Sequence, residues 1–294
     1  MDITLTVILV CFVVFFIAGF VDAIAGGGGL ITMPVLLLLG VPAHYTLGTG
    51  KLASSLGSIT ALITFWKRGA VIKEVVLLGV ITSYFGAVIA SATTLLISNE
   101  KMTIIMIFLL PVAILLSLFC GTLKLTEEDL PKKGLWWRVS VIGLSVGFYE
   151  GFFGPGAGSF FLIGIHLLLK AGLVKASGTA KSFNIAANLG AVTTFASAGT
   201  LYYSLALPCA VASILGNRLG AIYAVKIGPT LVRSMLYFVL VMLLILSDNA
   251  LRYLIRDAGN TLVHVAKKFV ADRAESLCDF IDRQVLTPNF HFRA

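Results

Sequence analysis

The stretch GFVDAIAGGGGLITMPVLLLLGVP, residues 19–42, sets four consecutive glycines inside an apolar run shortly after Asp22. Glycine is a weak helix former and proline a weaker one, so no helix is expected to run unbroken through it. Yet the run sits where a membrane span belongs. Of the 294 residues, 58% are hydrophobic and 12% charged, against about 25% charged in soluble domains. Apolar segments recur at 3–24, 30–40, 47–66, 75–97, 102–120, 137–149, 159–170, 176–197, 205–225 and 230–247. Roughly 20 apolar residues make one helical crossing. These are continuous runs, unlike the alternating ten-residue strands of a barrel. The expected class is an all-α polytopic membrane protein, retained in the plasma (inner) membrane.

The net charge of +8 does not point to nucleic acid, because the Lys and Arg residues sit mostly in short loops between apolar runs. That placement is the signature of membrane orientation. The four cysteines, at 11, 120, 209 and 278, form no CxxC, and the four histidines have no metal-ligand spacing. No metal and no cofactor are expected. The most polar loop, 121–136, divides the membrane part into residues 1–120 and 137–247, and 248–294 read as an amphipathic tail outside the bilayer core.

The two parts share an ordered pattern. GFVDAIAGGGGLI (19–31) matches GFYEGFFGPGAGS (147–159), so Asp22 corresponds to Glu150. GTGKLASSLGS (48–58) matches GTAKSFNIAANLG (178–190), which aligns Lys51 with Lys181, Ser54 with Asn184 and Ser58 with Asn188. Duplication is the simplest cause. Residues 3–40 would extend about 55 Å as one helix, too long for one crossing. As a hairpin with glycines at its tip, each repeat has that hairpin plus about three crossings, an odd number, and the repeats are inverted. If each broken segment counts as one crossing, there are eight spans and the repeats are parallel. The hairpin arrangement gathers Lys67, Arg68, Lys73, Lys124, Lys132, Lys133, Arg138, Lys170, Lys175 and Lys226 on one side, leaving Lys101 on the other. This favours inversion.

Broken backbone at membrane depth is tolerated only when buried in protein or lining a cavity. A pair of such breaks points to a central substrate site. Glycine-rich turns expose N–H groups that favour an anion. The candidate cradle is Gly26, Gly27, Gly28 and Gly29 with Gly154, Gly156, Gly158 and Ser159, Pro155 preventing helix continuation. Close helix packing through small residues is the plainer alternative. Lys51 and Lys181 each follow a Gly-Thr, at Thr49 and Thr179, near the start of an apolar helix. A spacing of three and seven puts Lys51, Ser54 and Ser58, and likewise Lys181, Asn184 and Asn188, on one helix face. Such a stripe suits an oxyanion; snorkelling to the surface is the alternative for the lysines. Asp22 and Glu150 read either as proton-coupling groups or as structural partners of the lysines or loop N–H groups. GTGKLASS lacks the spacing of a P-loop, and no nucleophile–base pair recurs near the breaks, so an enzyme is not expected.

The motifs GFVDAIAGGGGLITMPVLLLLGVP, TGKLASSLGS, FYEGFFGPGAGSFFL and TAKSFNIAANLGAVTTF resemble the TauE/SafE (sulfite exporter, TSUP) family, in its YfcA-like branch, over roughly 5–247. Three positions depart from the pattern: Gly50 and Ala180 precede the lysines where asparagine is common, and Glu150 replaces a commoner aspartate. The resemblance implies a secondary transporter exporting sulfur-containing anions such as sulfite, sulfoacetate or thiosulfate. A passive anion channel is the rival function. Expected partners are a small anion and the lipid bilayer, with a homo-oligomer left open.

Overall fold

The computed structural model describes residues 5–106, 109, 131, 133–228, 230–232 and 234–235. The tail 248–294, most of the 121–136 loop and the spans expected at 102–120 and 230–247 lie largely or wholly outside the described residues. Among those described, eight helices carry the architecture: α1 Leu5–Ala25, α2 Gly29–Leu38, α3 Ala43–Lys67, α4 Lys73–Leu95, α5 Leu135–Phe152, α6 Ala157–Leu169, α7 Leu173–Ser197 and α8 Tyr203–Ile227. Residues 99–106 are helical as well, and no strand occurs among the described residues.

Three of these helices, α1, α4 and α8, are long and apolar enough to cross a membrane. Their outer faces carry apolar stripes at helical spacing, such as Leu77, Ile81, Phe85 and Ile89 on α4, all exposed. Stripes of this kind suit lipid rather than water. The 25-residue helices α3 and α7 are about 38 Å long, enough to cross, but polar residues lower their hydropathy. They form the interior: every residue of α7 from Ala176 to Asn188 is buried.

Both glycine-rich segments reverse the chain. A Cβ at Gly28 would stand 2.8 Å from the Ala18 carbonyl, so α2 folds back along α1. In the second segment, a Cβ at Gly164 would lie 3.3 Å from Ile142, and the Arg138 guanidinium donates to the Leu168 carbonyl at 2.8 Å. Thus α6 runs back along α5. Each unit is a helical hairpin with a short second arm.

Small residues set the remaining packing. Gly143, Gly147 and Gly151 of α5 approach Thr82, Ser83 and Ala87 of α4 in rising order, so those helices are parallel. Gly216 and Gly220 of α8 approach Phe16 and Phe20 of α1 in the same sense. Along α4 and α7, Ile72 meets Thr179, Gly79 meets Phe183 and Tyr84 meets Gly190, again parallel. Between α3 and α7 the order reverses, Gly48 lying by Phe195 and Gly178 by Phe65. Removal of Cβ lets backbones meet, the usual source of helix association within lipid. These directions also sort the charges. The helix ends bearing Lys67, Arg68, Lys73, Lys133, Arg138, Lys170, Lys175 and Lys226 all lie at one end of the bundle, with Lys101 at the other.

Candidate functional site

The two hairpin tips meet. Gly26 has φ +81° and Gly154 has φ +97°, left-handed conformations that L side chains avoid. Gly26 also abuts the backbone of Gly158 and Ser159 so closely that a Cβ has no room, and a Cβ on Gly158 would stand 2.6 Å from the Cα of Gly26. Here the glycines serve contact between backbones as well as turning. The Ser159 hydroxyl donates to the Ala25 carbonyl at 2.6 Å, and Ser177 donates to that of Ile24 at 3.0 Å. Those are terminal carbonyls of α1, which have no partner inside the helix.

Two buried ion pairs cross between the halves. Lys51, 3% exposed, donates to the Glu150 carboxylate at 3.1 Å and to the Glu150 backbone carbonyl. Lys181, 2% exposed, donates to the Asp22 carboxylate at 2.8 Å and to the Asp22 carbonyl. Each lysine therefore neutralises an acid and satisfies the carbonyl end of a broken helix, where the dipole is negative. Neither snorkels. Asp22 also accepts from Ser58 at 3.3 Å and from the Gly28 N–H at 3.4 Å, while Glu150 accepts from Asn184 at 3.4 Å. Asn188 in turn donates to Asn184 at 3.2 Å.

A cavity lies between the tips, lined by Asp22, Gly26, Gly29, Thr32, Met33, Gly50, Lys51, Ser54, Glu150, Gly154, Gly158, Asn184 and Asn188. Its volume is about 30 Å³, room for one or two waters. The buried Oδ1 of Asn188 has no protein partner, so a ligand or water must satisfy it. Of the sequence-derived candidates, Gly26, Gly29, Lys51, Ser54, Gly154, Gly158, Asn184, Asn188, Asp22 and Glu150 converge on this cavity. Gly27, Gly28, Thr49, Ser58, Gly156, Ser159, Thr179 and Lys181 are not among its walls. Several of these have structural bonds: Thr49 accepts from the Tyr202 N–H at 3.2 Å, and Thr179 from the Ile72 N–H at 3.0 Å. Thr32, Met33 and Gly50 are wall residues that sequence reasoning missed. Thr32 and Met33 lie one turn into α2, a position legible only once the fold-back is known. No cluster able to hold a metal occurs among the described residues.

A helical bundle with an apolar surface and a polar interior cavity defines a polytopic membrane protein. The chain belongs to the sulfite exporter TauE/SafE family, whose model matches residues 11–246. Over 238 residues it is 37% identical to a probable membrane transporter protein of Haemophilus influenzae, covering 80% of this chain and 92% of the relative. It is 34% identical over 248 residues to the probable membrane transporter protein ORF9 of a Sinorhizobium species, covering 83% and 93%. The probable membrane transporter protein YfcA of Escherichia coli is 34% identical over 233 residues, covering 78% and 85%. No solved structure matches the chain.

Proposed function

We propose that this membrane protein is a secondary transporter for small sulfur-containing oxyanions, in the class of sulfite, thiosulfate and sulfoacetate, moved outward without a cofactor. The observation that carries this reading is the Lys51 ammonium in a cavity between two glycine-rich helix breaks, with the Ser54 hydroxyl and the Asn184 and Asn188 side chains also in its walls. An ammonium, polar donors and backbone that approaches without Cβ form a binding surface for an oxyanion. The family's description as sulfite exporter supports the sulfur chemistry. The narrow cavity and two crossing ion pairs favour a carrier over an open channel.

The reading includes architecture: two inverted repeats, each a hairpin followed by membrane-crossing helices. Its support is the antiparallel run of α3 against α7 and the exchange of ion pairs between halves. With the basic end facing the cytoplasm, the α5–α6 hairpin enters from inside and the α1–α2 hairpin from outside. Alternating access then means rocking one half against the other around the tips.

Flux into proteoliposomes with sulfite, thiosulfate and sulfoacetate tests the function. A carrier gives saturable flux of at least one anion; linear flux indicates a channel. Lys51→Ala, alone or with Lys181→Ala, abolishes saturable flux. Ser54→Ala removes one cavity hydroxyl and leaves both ion pairs, so KM rises about fivefold, the effect of one hydrogen bond worth ~1 kcal/mol. Intact saturable flux in the double lysine variant would sink the site assignment.

A further inference from the structure

The two acids correspond in sequence, but their surroundings differ. Asp22 is held by Lys181, Ser58 and the Gly28 N–H; Asp22 lines the cavity as Glu150 does, but Lys181 does not. An anion in the cavity has no direct approach to the partner of Asp22. Glu150 is held by Lys51 and, at 3.4 Å, by Asn184; Lys51, Asn184 and Glu150 itself all line the cavity. An anion that binds Lys51 therefore competes with Glu150 for the same ammonium.

Charge balance governs the outcome of that competition. Lys51, Lys181, Asp22 and Glu150 sum to zero, and each is at most 6% exposed. An arriving anion adds uncompensated negative charge to a buried cluster, which the interior resists. Resting on the proposed anion site, we infer that Glu150 takes up one proton as the anion displaces it from Lys51, so that anion and proton cross together while Asp22 stays ionised as a structural anchor. The step balances. The Lys51–Glu150 ion pair breaks, Lys51 pairs with the anion, and a proton from water on the loading side forms an O–H bond on Glu150. On the far side the anion leaves, the proton returns to water and the pair re-forms. The charged and titratable groups around Glu150 are Lys51 of α3, Asp22 of α1, Lys181 of α7 and Tyr149 of its own helix. For a singly charged anion the cycle moves no net charge, so export removes the anion as its acid, indifferent to membrane voltage.

The test uses full-length protein in liposomes carrying a lumenal pH dye, with voltage clamped at zero by potassium and valinomycin, and thiosulfate as probe. With the outside one pH unit more acidic, wild type accumulates thiosulfate about tenfold, the ratio set by one proton per anion, and the lumen acidifies with uptake. In Glu150→Gln the accumulation ratio falls to about one and thiosulfate-dependent acidification disappears. Thiosulfate movement by wild type without acidification, or a ratio near one, overturns this inference alone. So does a Glu150→Gln protein that still accumulates tenfold. A ratio near one hundred requires two protons and overturns the assignment to Glu150 by itself. No thiosulfate movement by wild type overturns the anion reading and this inference with it.

Discussion

At the scale of single residues, each lysine answers two negative features at once. Asp22 and Glu150 stand in the last turns of α1 and α5, where the helix dipole and unpaired carbonyls already concentrate negative charge. A carboxylate there is unfavourable without a cation, and Lys181 and Lys51 supply one. The sequence displayed both members of each pair but not their matching. The sequence left open which lysine or loop N–H each acid meets; the structure pairs Asp22 with Lys181 and Glu150 with Lys51, each across the two halves. That pairing depends on tip-to-tip contact, which no local pattern encodes. Gly26 illustrates the same limit. Its place in AGGGG reads as a turn, whereas contact with Gly158 makes a side chain doubly costly. Gly26→Ala must adopt a positive φ, a strain of about 1–3 kcal/mol, and also push the tips apart. We expect its melting temperature in detergent to drop well below that of wild type. Gly50→Ala, inside α3 at a position where a Cβ meets nothing within 4 Å, holds or raises it, because alanine is the better helix former. Equal melting for the two variants would contradict the tip contact.

At the scale of elements, helix positions were legible because lipid demands long apolar runs and glycine or proline punctuates them. The expected 30–40 and 159–170 stand as α2 and α6, Gly29–Leu38 and Ala157–Leu169. Pairing of helices was less legible, since small residues mark an interface without naming its partner. Gly216 and Gly220 packed on Phe16 and Phe20 join the first helix to the last described one, across nearly the whole sequence. Cys11 and Cys209 record that junction. Remote in the chain, both are buried in the same apolar cluster. Copper–phenanthroline oxidation is expected to link them, so that proteolysis in the 121–136 loop leaves the halves joined until a reductant is added. Separation of the halves without reductant would place α1 and α8 elsewhere.

At the scale of the whole molecule, the directions of α3 and α7 set which ends share a side. Ser98 follows α4 and Ala198 follows α7, whereas Arg68 and Lys133 belong to the basic end; all four are exposed. In a background lacking the native cysteines, Ser98→Cys and Ala198→Cys should react with an impermeant maleimide added on the side opposite the basic loops. Arg68→Cys and Lys133→Cys should react only after the membrane is opened. Labelling of Ala198→Cys together with Arg68→Cys would refute the antiparallel arrangement. The sequence predicts this orientation from its basic loops, because Lys and Arg are enriched on the cytoplasmic side of membrane proteins.

The crossed ion pairs also bear on how the protein is made. Synthesis delivers Asp22 and Lys51 to the bilayer while Glu150 and Lys181 are still unbuilt. Until the later residues arrive, Asp22 and Lys51 lack the partners that hold them in the finished molecule. A chain cut short after the first half would leave both unmatched and offer quality-control proteases an incomplete interior to recognise.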